Sequence, residues 1–364
     1  MREAAAKSAA RAEAARLMAH FADAGAVPVE TALLQPAETL LDLYGEDIRA
    51  RAYVTADPLR GEQMLRPDFT VPVVQMHMQS MAEPARYSYT GEVFRKQEVD
   101  ETRSTEYLQA GFEVFATNDA AARDAEVFSV IANALTPLNL RAVTGDIGVL
   151  MAAVQGLATT EARRAALMRH LWRPARFRTL LDRFGGRSET PASRAALLAA
   201  DDPFANAGVE VGLRRRDEVA ARIETLRTDA ATPPIADEQR ALIDAILSLR
   251  ETAPHVLVAL RDISVDLPHL GPAVDRLSAR LDALDARGVD VDTLAFEGSY
   301  GRTSMEYYDG FVFGFYAADH PELPPVATGG RYDALTRVLG QGRSVPAVGA
   351  VIRPELVVQL RGGA

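Results

Sequence analysis

Apolar positions at the start of the chain follow a helical spacing. Alanine dominates residues 3–24, and Leu17, Met18 and Phe21 form an i, i+1, i+4 edge, so this stretch reads as one helix that Gly25 stops. Ala37 to Leu43 reads as a short helical turn after Pro36. From Arg51 to Ala116 the period shortens to that of strands, in the pieces Arg51–Thr55, Gln63–Arg66, Arg86–Arg95 and Leu108–Ala116. Between them Pro72–Met81 is apolar and Met-rich, a core helix. Residues 119–135 are helical, and Arg141–Thr144 is a strand expected to end in a Gly145-Asp146-Ile147-Gly148 turn. The pattern predicts almost pure helix over 149–288, broken at Gly185-Gly186, Pro191, Asp201-Asp202-Pro203, Pro233-Pro234 and Pro254. Strands are expected again at Val289–Phe296, Met305–Tyr316, Val326–Thr328 and Ala347–Ile352, with one helix at Tyr332–Leu339.

This order predicts an α+β fold. A discontinuous core of residues 1–148 and 289–364 would be interrupted by a helical insertion at 149–288. The length of 364 residues suits about two domains and a sizeable core.

Composition narrows the chemistry. There is no cysteine, so disulfides, thiolate metal sites and cysteine nucleophiles are excluded. No two of the six histidines stand at i, i+3 or i, i+4, so a zinc-type pair on one helix is absent and no metal is expected. A net charge of −10 argues against a broad nucleic-acid surface. No apolar run reaches the ~20 residues that span a bilayer. The N-terminus lacks the apolar core of a signal peptide, and a cytoplasmic protein is expected. Walker A, GxGxxG and GxSxG sequences are absent, and no cofactor is expected.

Period-2 geometry puts Gln109, Gly111 and Glu113 on one face of a strand, with Phe112 and Val114 facing a core. Gly111 would leave open space between Gln109 and Glu113. Asp68 and Thr70 stand two apart, and Arg95 ends the preceding strand. Such a polar face is either solvated or covered by something polar. A small zwitterion fits: Asp68 and Gln109 for an amino group, Glu113 and tyrosine for a polar side chain.

Gly91-Glu92-Val93-Phe94-Arg95, followed by Glu106-Tyr107-Leu108-Gln109-Ala110-Gly111-Phe112-Glu113, resembles motif 2 of class II aminoacyl-tRNA synthetases, and within them the histidyl-tRNA synthetases. Leu65–Thr70, Glu306–Phe313, Gly329–Leu335 and Val345–Val351 resemble further segments of that family, in order. The resemblance implies a mixed, mainly antiparallel sheet flanked by helices, and a homodimer core. It implies histidine-binding roles for Asp68, Thr70 and Gln109 at the amino group, Glu113, Tyr307 and Tyr308 at the imidazole, and Arg95 at phosphate and carboxylate.

The departures carry as much. Gln97 replaces a metal- and ATP-binding acid, Thr303 the catalytic arginine, Leu356 the motif 3 arginine and Ala32 the motif 1 proline; Asp68 is one methylene shorter than the usual Glu. Arg302 is adjacent to Thr303, but a one-residue shift turns a strand side chain to the other face. The chain also ends where an anticodon-binding domain would begin. Histidine-reading positions are better kept than ATP-reading ones. In this the chain, with its Gly145-Asp146-Ile147-Gly148 segment, resembles the regulatory subunits of ATP phosphoribosyltransferase. That resemblance implies no catalysis of its own, a short-form catalytic subunit as partner in the first step of histidine biosynthesis, and L-histidine as effector. The alternatives are a truncated histidyl-tRNA synthetase-like enzyme and a histidine-binding sensor.

Overall fold

The computed structural model describes residues 2–37, 50–97, 104–303 and 307–362. The turn expected over Ala37–Leu43 lies almost wholly outside the described residues, as does the start of the strand expected at Met305. Among the described residues a nine-stranded sheet forms the centre, in the order β1 (Val27–Pro28), β5 (Ala85–Phe94), β6 (Glu106–Phe115), β12 (Ala347–Ile352), β11 (Ala327–Arg331), β10 (Phe311–Ala317), β7 (Leu140–Asp146), β9 (Ala295–Glu297), β8 (Arg250–Thr252). The β1–β5 and β7–β9 pairs are parallel and the other pairs antiparallel. A separate antiparallel sheet joins β2 (Leu34–Pro36), β4 (Gly61–Leu65) and β3 (Val54–Asp57). The expected α+β class with a mixed, mainly antiparallel sheet is the observed one.

Each face of the sheet has its own packing. Ala110, Phe112 and Val114 of β6 and Phe311, Phe313 and Phe315 of β10 join the larger core. Against them lie α1 (Arg2–Asp23), through Leu17 and Phe21, and α3 (Ala120–Leu135), through Phe128. The Phe128 and Phe313 rings meet edge-on at 5.1 Å. On the opposite face α2 (Thr70–Ser80) buries Val71, Val73, Val74 and Met78 against Tyr89, Phe115 and Tyr332. Residues 147–285 are helical apart from β8, a longer irregular stretch over 200–215 and short connections, and Leu167, Leu181, Ile243 and Leu260 from this stretch join the larger core.

Several expected boundaries move for local reasons. The Gly145–Gly148 segment is not a turn: β7 runs straight into α4 (Ile147–Gln155), whose N-cap Asp146 accepts from Gly148 N at 2.8 Å. The strand expected at Val289–Phe296 shrinks to β9, because Thr293 Oγ1 donates to Asp290 Oδ2 at 2.9 Å and holds the preceding residues in a local turn. In place of Arg51–Thr55, β3 covers Val54–Asp57, set by a hairpin in which Asp57 Oδ1 accepts from Leu59 N and Arg60 N, with Gly61 at φ +75°. β8, inside the helical stretch, was not expected; three residues are too short for a period-2 signal. β10 starts only at Phe311, so Arg302 and Thr303 sit in turns after Gly301 rather than on a strand.

One buried ionic network ties these layers together. Arg280 of α11 (Gly271–Asp285) donates from Nε to Asp124 and from Nη1 to Asp146, both at 2.8 Å. Arg331 of β11 donates to the same Asp124 at 2.6 and 2.9 Å and to Asp333 at 3.0 Å. Asp124 is 1% exposed and Arg280 3%. Removing the shared carboxylate leaves Arg280 with Asp146 alone and Arg331 with the half-buried Asp333 alone, so each guanidinium loses its most buried counter-charge. Asp124→Asn is expected to destabilise the fold by about 3–5 kcal/mol, read as a lower urea midpoint, whereas an exposed pair such as Arg178–Asp244 is expected to contribute under ~1 kcal/mol.

Candidate functional site

The strand–turn before α2, the middle of β6 and the segment before β10 converge over the smaller-core face of the sheet. Asp68, Thr70, Arg95, Gln109, Tyr307 and Tyr308 line one cavity of about 180 Å³. Asp68 is 3% exposed and accepts from the Tyr307 hydroxyl at 3.3 Å. Gln109 is 2% exposed, and its Oε1 has no hydrogen-bond partner among the described residues. Arg95 donates from Nε to Pro67 O at 2.8 Å, and its guanidinium carbon lies 5.9 Å from the Tyr107 ring centre. The cavity wall thus combines a carboxylate and an unfilled amide acceptor with a guanidinium. That is the polarity of an amino-acid zwitterion.

Glu113 lies under this cavity rather than in its wall. It is 1% exposed, and both its oxygens are taken: Oε1 accepts from Thr70 Oγ1 at 3.0 Å and Tyr89 OH at 2.7 Å, Oε2 from Tyr332 OH at 2.5 Å. Burial pushes its carboxyl up to about 7, against the three hydroxyl donors that favour the charged form. Space for it comes from β12: Gly349 pairs with Glu113, and a Cβ there would fall 1.3 Å from Oε2. The open space expected at Gly111 does not exist. Tyr89 pairs across from it and fills the gap, so that a Cβ on Gly111 would meet the ring at 2.1 Å. Tyr89, Tyr332 and Gly349 were the partners that motif reading did not supply. The signal available was a tyrosine facing a glycine on neighbouring strands, which needs the register.

A larger cavity of about 670 Å³ adjoins the first and shares Arg51, Arg95 and Arg353 with it. Gln97 and Leu356 are in its wall. Gln97 Nε2 donates to Ser104 O at 3.0 Å. Arg353, three residues before Leu356, lies 5.3 Å from the Tyr107 ring centre and brings a cation to the boundary of both cavities. On the other side, Thr303 lines the small cavity while Arg302 turns away, donating to Leu171 O at 2.8 Å. Ala32 is exposed, its carbonyl accepting from Gln35 Nε2. Among the described residues no cluster of three acids or histidines could hold a metal ion, and no helix is long and apolar enough to cross a membrane.

Residues 1–357 match the family model described as histidyl-tRNA synthetase. A protein of Brucella ovis named ATP phosphoribosyltransferase regulatory subunit is 30% identical over 353 residues, covering 92% of this chain and 93% of its own length; its counterpart in Brucella canis matches equally. The chain belongs to the family of ATP phosphoribosyltransferase regulatory subunits. Its fold is shared by a Bacillus halodurans chain described as an ATP phosphoribosyltransferase regulatory subunit/histidyl-tRNA synthetase, with a TM-score of 0.68, 19% identity and coverage of 97% of this chain and 79% of that one. A histidyl-tRNA synthetase of Nostoc has a TM-score of 0.64 at 18% identity, over 98% of this chain and 72% of that one. Of the residues in this regulatory-subunit family member that differ from the synthetase pattern, Gln97, Leu356 and Thr303 stand in cavity walls, whereas Ala32 is exposed.

Buried carboxyls make stability depend on pH with a definite sign. Glu113 is held at about 7, and Asp309, half-buried, desolvated and repelled by Asp333, also at about 7; their ordinary values are 4.5 and 3.8. Each binds a proton more readily folded than unfolded, so its contribution is full below the ordinary value and is lost as pH rises through about 7. Urea midpoints of the wild type are expected to fall between pH 5 and 8, and Glu113→Gln to remove part of that slope. An unchanged slope in the variant contradicts the assignment.

Proposed function

We propose that this chain is the non-catalytic regulatory subunit of an ATP phosphoribosyltransferase. It works in the cytoplasm with a short catalytic subunit at the first step of histidine biosynthesis, where ATP and phosphoribosyl pyrophosphate form phosphoribosyl-ATP. Histidine acts through this chain to inhibit the step. The names of the curated relatives support the partner. One observation carries the ligand: the buried, unpartnered Gln109 Oε1 stands with Asp68 in a cavity sized for a small molecule. An ammonium donor would satisfy the Gln109 oxygen and pair with the Asp68 carboxylate. Asp68, Thr70 and Gln109 would hold the amino group, Arg95 the carboxylate, and Tyr307 with Tyr308 the imidazole, over Glu113.

The absence of chemistry follows from charge placement. Adenylation needs cations where phosphate charge develops, and losing one such donor costs roughly 10²–10³ in rate. Thr303 supplies no charge beside the cavity, and the Arg302 guanidinium is drawn off to Leu171 O. Histidine can then act only by binding one state of the assembly better than another, a coupling of ~1–3 kcal/mol. A homodimer core belongs to the same reading; the exposed apolar residues Val27, Leu33, Leu34 and Val54 on and beside the short strands β1–β3 support it. So does a helical insertion at 149–288, because β6 and β12, from before and after it, lie side by side.

The test mixes the organism's short catalytic subunit with and without this chain and follows phosphoribosyl-ATP. Product is expected only with this chain and is expected to fall on adding histidine. Asp68→Ala should keep the activation and shift the inhibition curve to at least about tenfold higher histidine. No effect on a folded catalytic subunit sinks the reading, and histidine-dependent exchange of pyrophosphate into ATP would replace it with the synthetase-like enzyme.

A further inference from the structure

A third cavity, of about 590 Å³, opens beside the amino-acid cavity and shares Thr303, Pro325 and Thr328 with it. Arg302 lines it and is only 5% exposed. Its Nε is committed to Leu171 O at 2.8 Å, and its guanidinium carbon lies 4.8 Å from the Phe177 ring centre. Its Nη2 is buried with no hydrogen-bond partner, and no carboxylate among the described residues is within ion-pair distance of it. Burial and the positive charge of Arg178 lower its pKa to about 10. A buried cation with no counter-charge is strongly disfavoured unless something else supplies the charge.

The rest of the cavity wall offers donors. Tyr300 and Tyr316 share a hydrogen bond between their hydroxyls at 3.0 Å. One hydroxyl donates to the other, so the acceptor's own proton is left for a ligand. Ser299 adds a hydroxyl, and exposed Arg141 stands in the wall. The one carboxylate in the wall, Glu297, is 3.8 Å from Arg250.

We propose that this cavity binds a small ligand through an oxyanion, a carboxylate or a phosphoryl group, with Arg302 as the buried counter-charge and Ser299 and Tyr316 as hydroxyl donors. The site is separate from the amino-acid cavity but touches it at Thr303, so the two can be occupied together.

Calorimetric titration of the full chain with inorganic phosphate and, separately, with malonate tests this, with chloride at matched ionic strength as control. Saturable binding of phosphate or malonate but not chloride is expected, and which of them binds names the oxyanion. Arg302→Met should weaken it at least about tenfold, and Tyr316→Phe roughly threefold. Arg353→Gln, in the wall of the other cavities, should leave it. Should Arg302→Met fail to fold, Tyr316→Phe and Ser299→Ala, at half-buried positions, decide the matter. Absence of saturable binding overturns the proposal, as does equal response to chloride. Binding lost in Arg353→Gln while Tyr316→Phe is unaffected also overturns it.

Discussion

The carboxylate of Asp124 is the point on which the architecture turns. It sits on the helix that covers the larger core, and it receives the guanidinium of Arg331 from the sheet and of Arg280 from the helical segment. Arg280 also reaches Asp146, which caps the helix that leaves the sheet. Four chain segments far apart in sequence are therefore fixed by shared protons rather than by apolar contact alone. Apolar packing tolerates sliding and repacking; a buried carboxylate that holds one guanidinium on each of its oxygens does not.

A second buried carboxylate sets the floor of the site. Glu113 is tolerated at the centre of the sheet only because Thr70, Tyr89 and Tyr332 bring three hydroxyls to it and Gly349 leaves it room. The hydroxyl of Thr70 is spent on Glu113, yet Thr70 also lines the cavity above. Occupancy of the cavity and the protonation of its floor therefore meet at one side chain.

Much of this was legible in the residues. Long periodic elements such as α1, α3 and β6 come from hydrophobic spacing alone. The grouping of Asp68, Thr70, Arg95, Gln109, Tyr307 and Tyr308 came from motif order, and the fold brings those residues to one cavity. What could not be read depended on register. Tyr89 facing Gly111, and Gly349 facing Glu113, are neighbours only once strands from distant parts of the chain are paired. β8 and the shortened β9 escaped for the opposite reason: local hydrogen bonds and a length of three residues each leave no period to detect.

At positions 302 and 303 two adjacent side chains in a turn face different surroundings. A guanidinium at 303 would face the small cavity. Threonine there leaves the cavity open and uncharged at that wall, while Arg302 is held by a carbonyl and a ring from the helical segment, Leu171 and Phe177. The loop after β9 is thereby anchored on one side to the helical segment and lines the small cavity on the other. Ligand binding that shifts this loop must alter the contacts of Arg302 with that segment. Two adjacent residues of one loop thus join the wall of the small cavity to the helices behind it, through a hydrogen bond and a ring contact rather than through the sheet.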